Sequence, residues 1–181
     1  MKPVIRRILV ATDFSPASES AIDYATVLAL ALWPSVHVVH VLEEPFLTHG
    51  PGEFYSPDVP MLREQLRLEA ESRLNPVKDR FADICSKVTT EVRFGSPTEK
   101  IIAAALDHGA DLIIMGTHGR TGLSHLVHGS VAERVIRGAR CPVLAVRAYG
   151  TSAQEKGESD TPAVVANTVA SPSRIHQKRR R

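Results

Sequence analysis

Apolar and polar positions along this chain change period repeatedly, and each change marks an element. Val4 to Val10 is a short apolar run that predicts a first strand. The spacing then becomes helical, with Ala21, Ile22, Ala25, Leu28, Ala29 and Leu32 on one stripe. Ser15 supplies an N-cap for that helix, and Pro16 fits its first position, where no backbone N–H is needed. Trp33-Pro34 stops it. Val36 to Leu42 predicts a second strand, and the Pro-, Gly- and aromatic-rich stretch from Glu44 to Pro57 predicts a surface loop. A long helix follows from about Asp58 to Lys87, with Leu62, Leu66, Ala70, Leu74, Val77, Phe81 and Ile84 on one side. Asn75-Pro76 should kink or break it, because proline loses an N–H and clashes one turn back.

Val88, Thr90, Val92 and Phe94 alternate with Thr89, Glu91 and Arg93, the period of a half-exposed strand at a sheet edge. Ser96-Pro97-Thr98-Glu99 has capping-box spacing and opens a helix through Ile101, Ile102, Ala105 and Leu106, closed by Gly109. Asp111 to Met115 predicts a fourth strand, Ser130 to Arg137 a fourth helix and Val143 to Arg147 a fifth strand. Strands alternating with helices predict an α/β fold: one doubly wound, five-stranded parallel sheet with helices on both faces. The continuous apolar runs of the first and fourth strands place them centrally, and the alternating third belongs at an edge. The order 3-2-1-4-5 satisfies both. Its topological switch lies between the first and fourth strands, and ligands of such sheets bind beyond the carboxyl ends there.

Those two ends carry Ala11-Thr12-Asp13 and the segment GTHGRTGLSHLVHGS, from Gly116 to Ser130. A glycine loop running into a helix N-terminus suits phosphate, since a main chain without Cβ atoms brings its N–H groups close to an anion and the helix dipole favours the charge. Ser130 and Glu133 have capping-box spacing, so Ser130 serves as an N-cap alone or as one whose hydroxyl and N–H also meet phosphate. The chain has neither GxxxxGK[ST] nor a GxGxxG after its first strand. Gly116-x2-Gly119-x9-Gly129-Ser130 resembles instead the ATP-binding signature of the universal stress protein family. The resemblance continues through ILVATDFSPASESAIDYA, HVVHVLEE, FGSPTEKIIAAA and GSVAERVIRGARCPVLAVR, and covers residues 3 to 147 in order.

That resemblance implies a stress-response protein that binds ATP, accompanied by Mg2+, and acts as a nucleotide-dependent regulatory or interaction module. It implies phosphate contacts from Gly116, Gly119, Gly129, Ser130 and the adjoining Val131, and a backbone contact from His118. Asp13 would accept from an adenosine hydroxyl or amine, the backbone of Val41 would hold adenine, and Ala11, Thr12 and Met115 would line the same pocket. Arg120 either contacts phosphate or is solvated. The alternative is an enzyme, a slow ATPase or another adenine-nucleotide enzyme of this architecture. The adenylyl-transferring relatives carry a histidine-rich motif after the first strand, and ATDFSP has none. No arginine or lysine clamp accompanies Thr12, Asp13 and Ser15, so fast hydrolysis is not expected.

Composition alters this picture in one place. The overall charge of +2 conceals +3 on residues 148–181, from Lys156, Arg174, Lys178, Arg179, Arg180 and Arg181 against Glu155, Glu158 and Asp160, leaving −1 on the body. A near-neutral domain gives no argument for a nucleic-acid surface, although the basic tail could hold an anionic partner weakly. Residues 149–181 are dominated by small, polar and charged types and are expected to be disordered, against a nucleotide-binding domain over 1–148. No apolar run reaches membrane-spanning length, and Cys85 and Cys141 read as two buried thiols in a reducing cytoplasm. His118, His125 and His128 lack the converging partners of a structural metal site. The fifth strand is apolar yet at an edge, which predicts a homodimer pairing through it.

Overall fold

The computed structural model describes residues 4–43, 59–117 and 130–148 and the short strand 165–167, with only the backbone given at 59, 130 and 165–167. The chain runs β1 (Arg7–Thr12), α1 (Pro16–Leu32), β2 (Ser35–Leu42), α2 (Val59–Asp79), β3 (Lys87–Phe94), α3 (Pro97–Asp107), β4 (Leu112–Gly116), α4 (Ser130–Gly138), β5 (Val143–Val146) and β6 (Val165–Asn167). The first five strands are parallel in the order 3-2-1-4-5, as the apolar patterning requires.

Successive residues of a strand face opposite sides, and the two cores follow from that alternation. Ile8 and Val10 of β1, Val36 and Val38 of β2, and Leu112 and Ile114 of β4 pack under Ala21, Ile22 and Ala25 of α1 and Leu74 and Val77 of α2. Leu9 and Ala11, Val39, Ile113 and Met115 pack on the other side under Ile101 and Ala104 of α3 and Ala132 and Val135 of α4. Ser15 caps α1 through its hydroxyl, which accepts from Ser18 N at 3.3 Å, and Trp33 ends the helix in a left-handed conformation with φ of 51°.

Several boundaries differ from the expected ones, for physical reasons. Pairing, not hydropathy, sets where β1 begins: its register with β2 starts at Arg7 opposite Ser35, while Val4 is left exposed. In α2, Pro76 lies in the last turn and the helix stops at Asp79, so Phe81 reaches the core from the segment beyond. Ser96 stands at the N-cap of α3 but makes no side-chain cap bond. The fourth helix starts at Ser130 as expected and ends at Gly138, one residue beyond Arg137. Cys85 is buried, whereas Cys141 is only half-buried, and both are free thiols.

The outer edge of β5 is paired. β6 runs antiparallel along it, with Val165 opposite Ala145, Ala166 opposite Leu144 and Asn167 opposite Val143. The expected disorder of 149–181 is thus interrupted at these three residues, and the rest of that segment lies outside the described residues. An apolar strand edge exposes unpaired backbone groups, and the short stretch Val165-Ala166-Asn167 satisfies part of them.

Candidate functional site

The connection after β1 leads to α1 on one face of the sheet, and the connection after β4 leads to α4 on the other. β1 and β4 are hydrogen-bonded neighbours, with Ala11 opposite Met115. The chain therefore diverges beyond Thr12 and Gly116, towards α1 on one face and α4 on the other, the position at which open sheets of this kind take ligands.

The β1–α1 turn is held by its own side chains. Thr12 Oγ1 donates to Ser18 Oγ at 3.1 Å and accepts from Phe14 N at 3.0 Å. Asp13 Oδ1 accepts from Ser15 N at 3.1 Å, which folds the residues ahead of α1 into an Asx turn. Phe14 has φ of 61°, a left-handed conformation that costs a non-glycine residue roughly 1–3 kcal/mol and must be held by its surroundings. Its ring lies 4.5 Å from that of His40, and the guanidinium of Arg73 sits 4.0 Å from its centre on the other element of that layer, α2. Buried His40 donates from Nδ1 to the Thr12 carbonyl at 2.7 Å, a tautomer fixed by the fact that a carbonyl only accepts.

On the β4 side, Gly116 approaches the first turn of α1. A Cβ there would lie 2.8 Å from both Ala17 C and Ser18 N, so the position admits only glycine without a backbone shift. Thr117 N donates to Val146 O at 2.7 Å and continues the β4–β5 ladder past the end of the strand.

The residues singled out in the sequence divide accordingly. Ala11, Val41 and Met115 belong to the α3/α4 side of the sheet, where Ala11 and Met115 are buried and Val41 is partly buried. Thr12 and Gly116 face α1, and the Thr12 hydroxyl is committed to that helix's first turn. Asp13 stands between the two groups at the tip of β1, partly exposed. Val131 packs at the margin of the α3/α4 core, and Ser130 begins α4. His118, Gly119, Arg120 and Gly129 lie outside the described residues. Phe14, His40 and Arg73 carry no motif that marks them in the sequence. A histidine inside an otherwise apolar strand is the available signal for His40, because a buried polar group needs a partner.

A second polar cluster sits on the α3 side of the β2–β3 edge. His37 of β2, opposite Thr89 of β3 in the register, places Nδ1 2.7 Å from Thr89 Oγ1 and Nε2 3.1 Å from Glu91 Oε2. His108, at the C-cap of α3, stacks its ring on His37 with 3.5 Å between centres. Burial first, and then the charge of His108, hold the pKa of His37 below its ordinary value. Burial raises the Glu91 carboxyl, but its interactions with Arg93 and His37 outweigh that and leave it lowered. The polar residues of the half-exposed strand β3 are therefore partly buried, with Glu91 and Arg93 tied to His37 and to the C-terminal end of α3.

Residues 5–147 match the model of the universal stress protein family. Universal stress protein MJ0531 of Methanocaldococcus jannaschii is 36% identical over 146 residues, covering 78% of this chain and 82% of that one. Universal stress protein MJ0577 of the same organism is 31% identical over 162 residues, covering 81% of this chain and 98% of its own. The solved structure of MJ0577 superposes with a TM-score of 0.70, at 32% identity, over 80% of this chain and 96% of that chain. A universal stress protein solved in complex with cAMP shares the fold with a TM-score of 0.60 at 21% identity, over 80% of this chain and 99% of that chain.

Proposed function

Because the chain belongs to the universal stress protein family, we propose that it binds ATP, as the Mg2+ complex, beyond the carboxyl ends of β1 and β4. Binding would make it a nucleotide-dependent regulatory or interaction module of the stress response. The observation that carries this reading is the divergence of the chain at the adjacent ends of β1 and β4, with the carboxylate of Asp13 at the tip. A nucleoside on this side would meet the Asp13 carboxylate and the strand backbone near Val41 as its polar partners, with Ala11 on the neighbouring strand β1. The phosphates would meet the glycine segment that ends at Ser130. That a protein of this fold was solved with cAMP agrees with an adenine nucleotide as the ligand class.

Binding without rapid turnover is the better reading. The Thr12 hydroxyl and Asp13 Oδ1 hold the β1–α1 turn, and no lysine or arginine accompanies them between Ala11 and Ser18. Slow hydrolysis remains the alternative and would show as phosphate release that saturates with ATP.

Asp13→Ala tests the nucleoside assignment. A hydrogen bond to a charged group contributes about 1.5–3 kcal/mol, so affinity should fall by about ten- to a hundredfold. The fall should be similar for ATP, ADP and AMP, which share adenosine, as read by calorimetric titration. A loss confined to ATP would transfer Asp13 to the metal or the γ-phosphate.

Homodimerisation through β5 belongs to the same reading, with β6 as its competitor for the edge. Three residue pairs supply only a few hydrogen bonds, each contributing about 1 kcal/mol net, and ordering each residue of β6 costs about 1–2 kcal/mol, which offsets most of that gain. A chain ending at Ala148 should therefore melt within a few degrees of the full chain, keep its ATP affinity and self-associate more tightly. Sedimentation at several concentrations checks this, and equal association of both chains would remove β6 as a competitor. Among the described residues no helix is long and apolar enough to cross a membrane.

A further inference from the structure

We propose that His37, Glu91 and His108 form a binding site for a divalent transition-metal ion of the zinc class, at the end of the sheet away from the crevice. The ion would take Nε2 of each imidazole, Oε2 of the carboxylate and a water molecule. One donor atom from each of the three residues lies within 4.8 Å of the other two. Glu91 Oε2 is 3.1 Å from His37 Nε2 and 3.7 Å from His108 Nε2. Around a tetrahedral ion with bonds of about 2.0–2.2 Å, neighbouring donors stand about 3.4 Å apart. Both separations from Glu91 are within a few tenths of an ångström of that value.

The supporting shell has the features that metal sites use. Two donors come from adjacent strands in fixed register, and the third from the C-cap of α3, so each is placed by regular structure. A metallated His37 keeps its proton on Nδ1 and donates it to Thr89 Oγ1 at 2.7 Å, which orients the ring. Glu91 Oε1 is 2.8 Å from Arg93 Nε, close as an ion pair though off the hydrogen-bond direction, leaving Oε2 to the histidines. A cavity of about 110 Å³ adjoins the cluster and is lined by His37, His108 and Thr89 together with Arg7, Ser35 and Lys87, room enough for the water.

Two features oppose the ion, and both are limited. The cationic neighbours are in part neutralised, Arg93 by Asp107 at 2.9 Å and Arg7 by Asp111 at 3.5 Å, while Lys87 is exposed and screened by solvent. The stacked rings, 20° from parallel, cannot both aim lone pairs at one point. Binding must tilt His108 off the stack, and its side chain, 39% exposed, has the freedom to move.

The test is equilibrium dialysis of the full chain, free of nucleotide, against zinc alone, with cobalt(II) as a spectroscopic substitute. His108→Ala and Glu91→Gln change partly exposed side chains and spare buried His37, and circular dichroism checks that both still fold. The expected result is a strong-binding ion whose affinity drops at least tenfold in each variant, with loss of the tetrahedral cobalt band. His125→Ala and His128→Ala should leave it unchanged. Zinc affinity and cobalt spectrum identical in the full chain and in both cluster variants, or no saturable binding at millimolar zinc, would overturn the proposal. Neither outcome touches nucleotide binding, which is measured separately without zinc.

Discussion

A Gly129→Val chain is expected to fold normally and to bind ATP at least a hundredfold more weakly than the unmodified protein. Gly129 directly precedes Ser130, where α4 begins, and a helix N-terminus offers its unpaired N–H groups to an anion only if nothing stands in front of them. A branched side chain there would keep the phosphates from the main chain. A hundredfold loss is about 2.7 kcal/mol, comparable to the removal of one or two charge-assisted hydrogen bonds. Calorimetric titration measures it, with circular dichroism and a melting curve to establish that the fold persists. Undiminished affinity in a folded variant would take the phosphate role away from this loop.

Gly116→Val should act on stability instead. Its Cβ would enter within 2.8 Å of the backbone of Ala17 and Ser18, and backbone at the start of a helix cannot rotate aside as a flexible side chain can. The first turn of α1 must shift, which strains the Thr12–Ser18 hydrogen bond and the cap at Ser15. Overpacking of this kind costs about 3 kcal/mol, the upper part of the usual range. For a chain of this size the melting temperature should then fall by about 6–12 °C, read by calorimetry or circular dichroism. The two glycines of one motif should thus separate in these tests: position 116 packs β4 against α1, and position 129 is the one proposed to serve the ligand. An unchanged melting temperature for Gly116→Val would show that α1 yields without cost and would undo the distinction.

The sheet order is legible in the sequence because strand burial writes itself into hydropathy. β1 and β4, covered on both faces, are unbroken apolar runs, and β3 at the edge alternates. The start of α1 is legible because Ser15 and Pro16 are specific to that position. Where a strand begins is not a local property, and hydropathy alone therefore starts β1 too early, at Val4. β6 escapes a reading of the sequence because three residues in a polar tail gain their meaning only from the free edge of β5. The period of β3 marks a half-exposed strand but does not say that Asp107 and His108, at the end of α3, reach Arg93 and Glu91 on it. His37, Glu91 and His108 come from three separate elements, and no spacing rule brings them together. For the crevice, the sequence alone directs the motif and the strand ends to one place, and Gly119 and Gly129 of that motif lie outside the described residues. Nothing in the sequence says that Thr12 turns its hydroxyl into α1, nor that His40 and Phe14 brace the turn beneath Asp13.

Whether the crevice beyond β1 and β4 binds ATP is tested most directly by titrating the unmodified full chain with ATP, in the presence of Mg2+, in a calorimeter. The expected result is a single saturable site per chain with micromolar affinity, about −8 kcal/mol, and weaker but measurable binding of AMP through the shared adenosine. No saturable heat of binding at millimolar ATP would contradict the assignment.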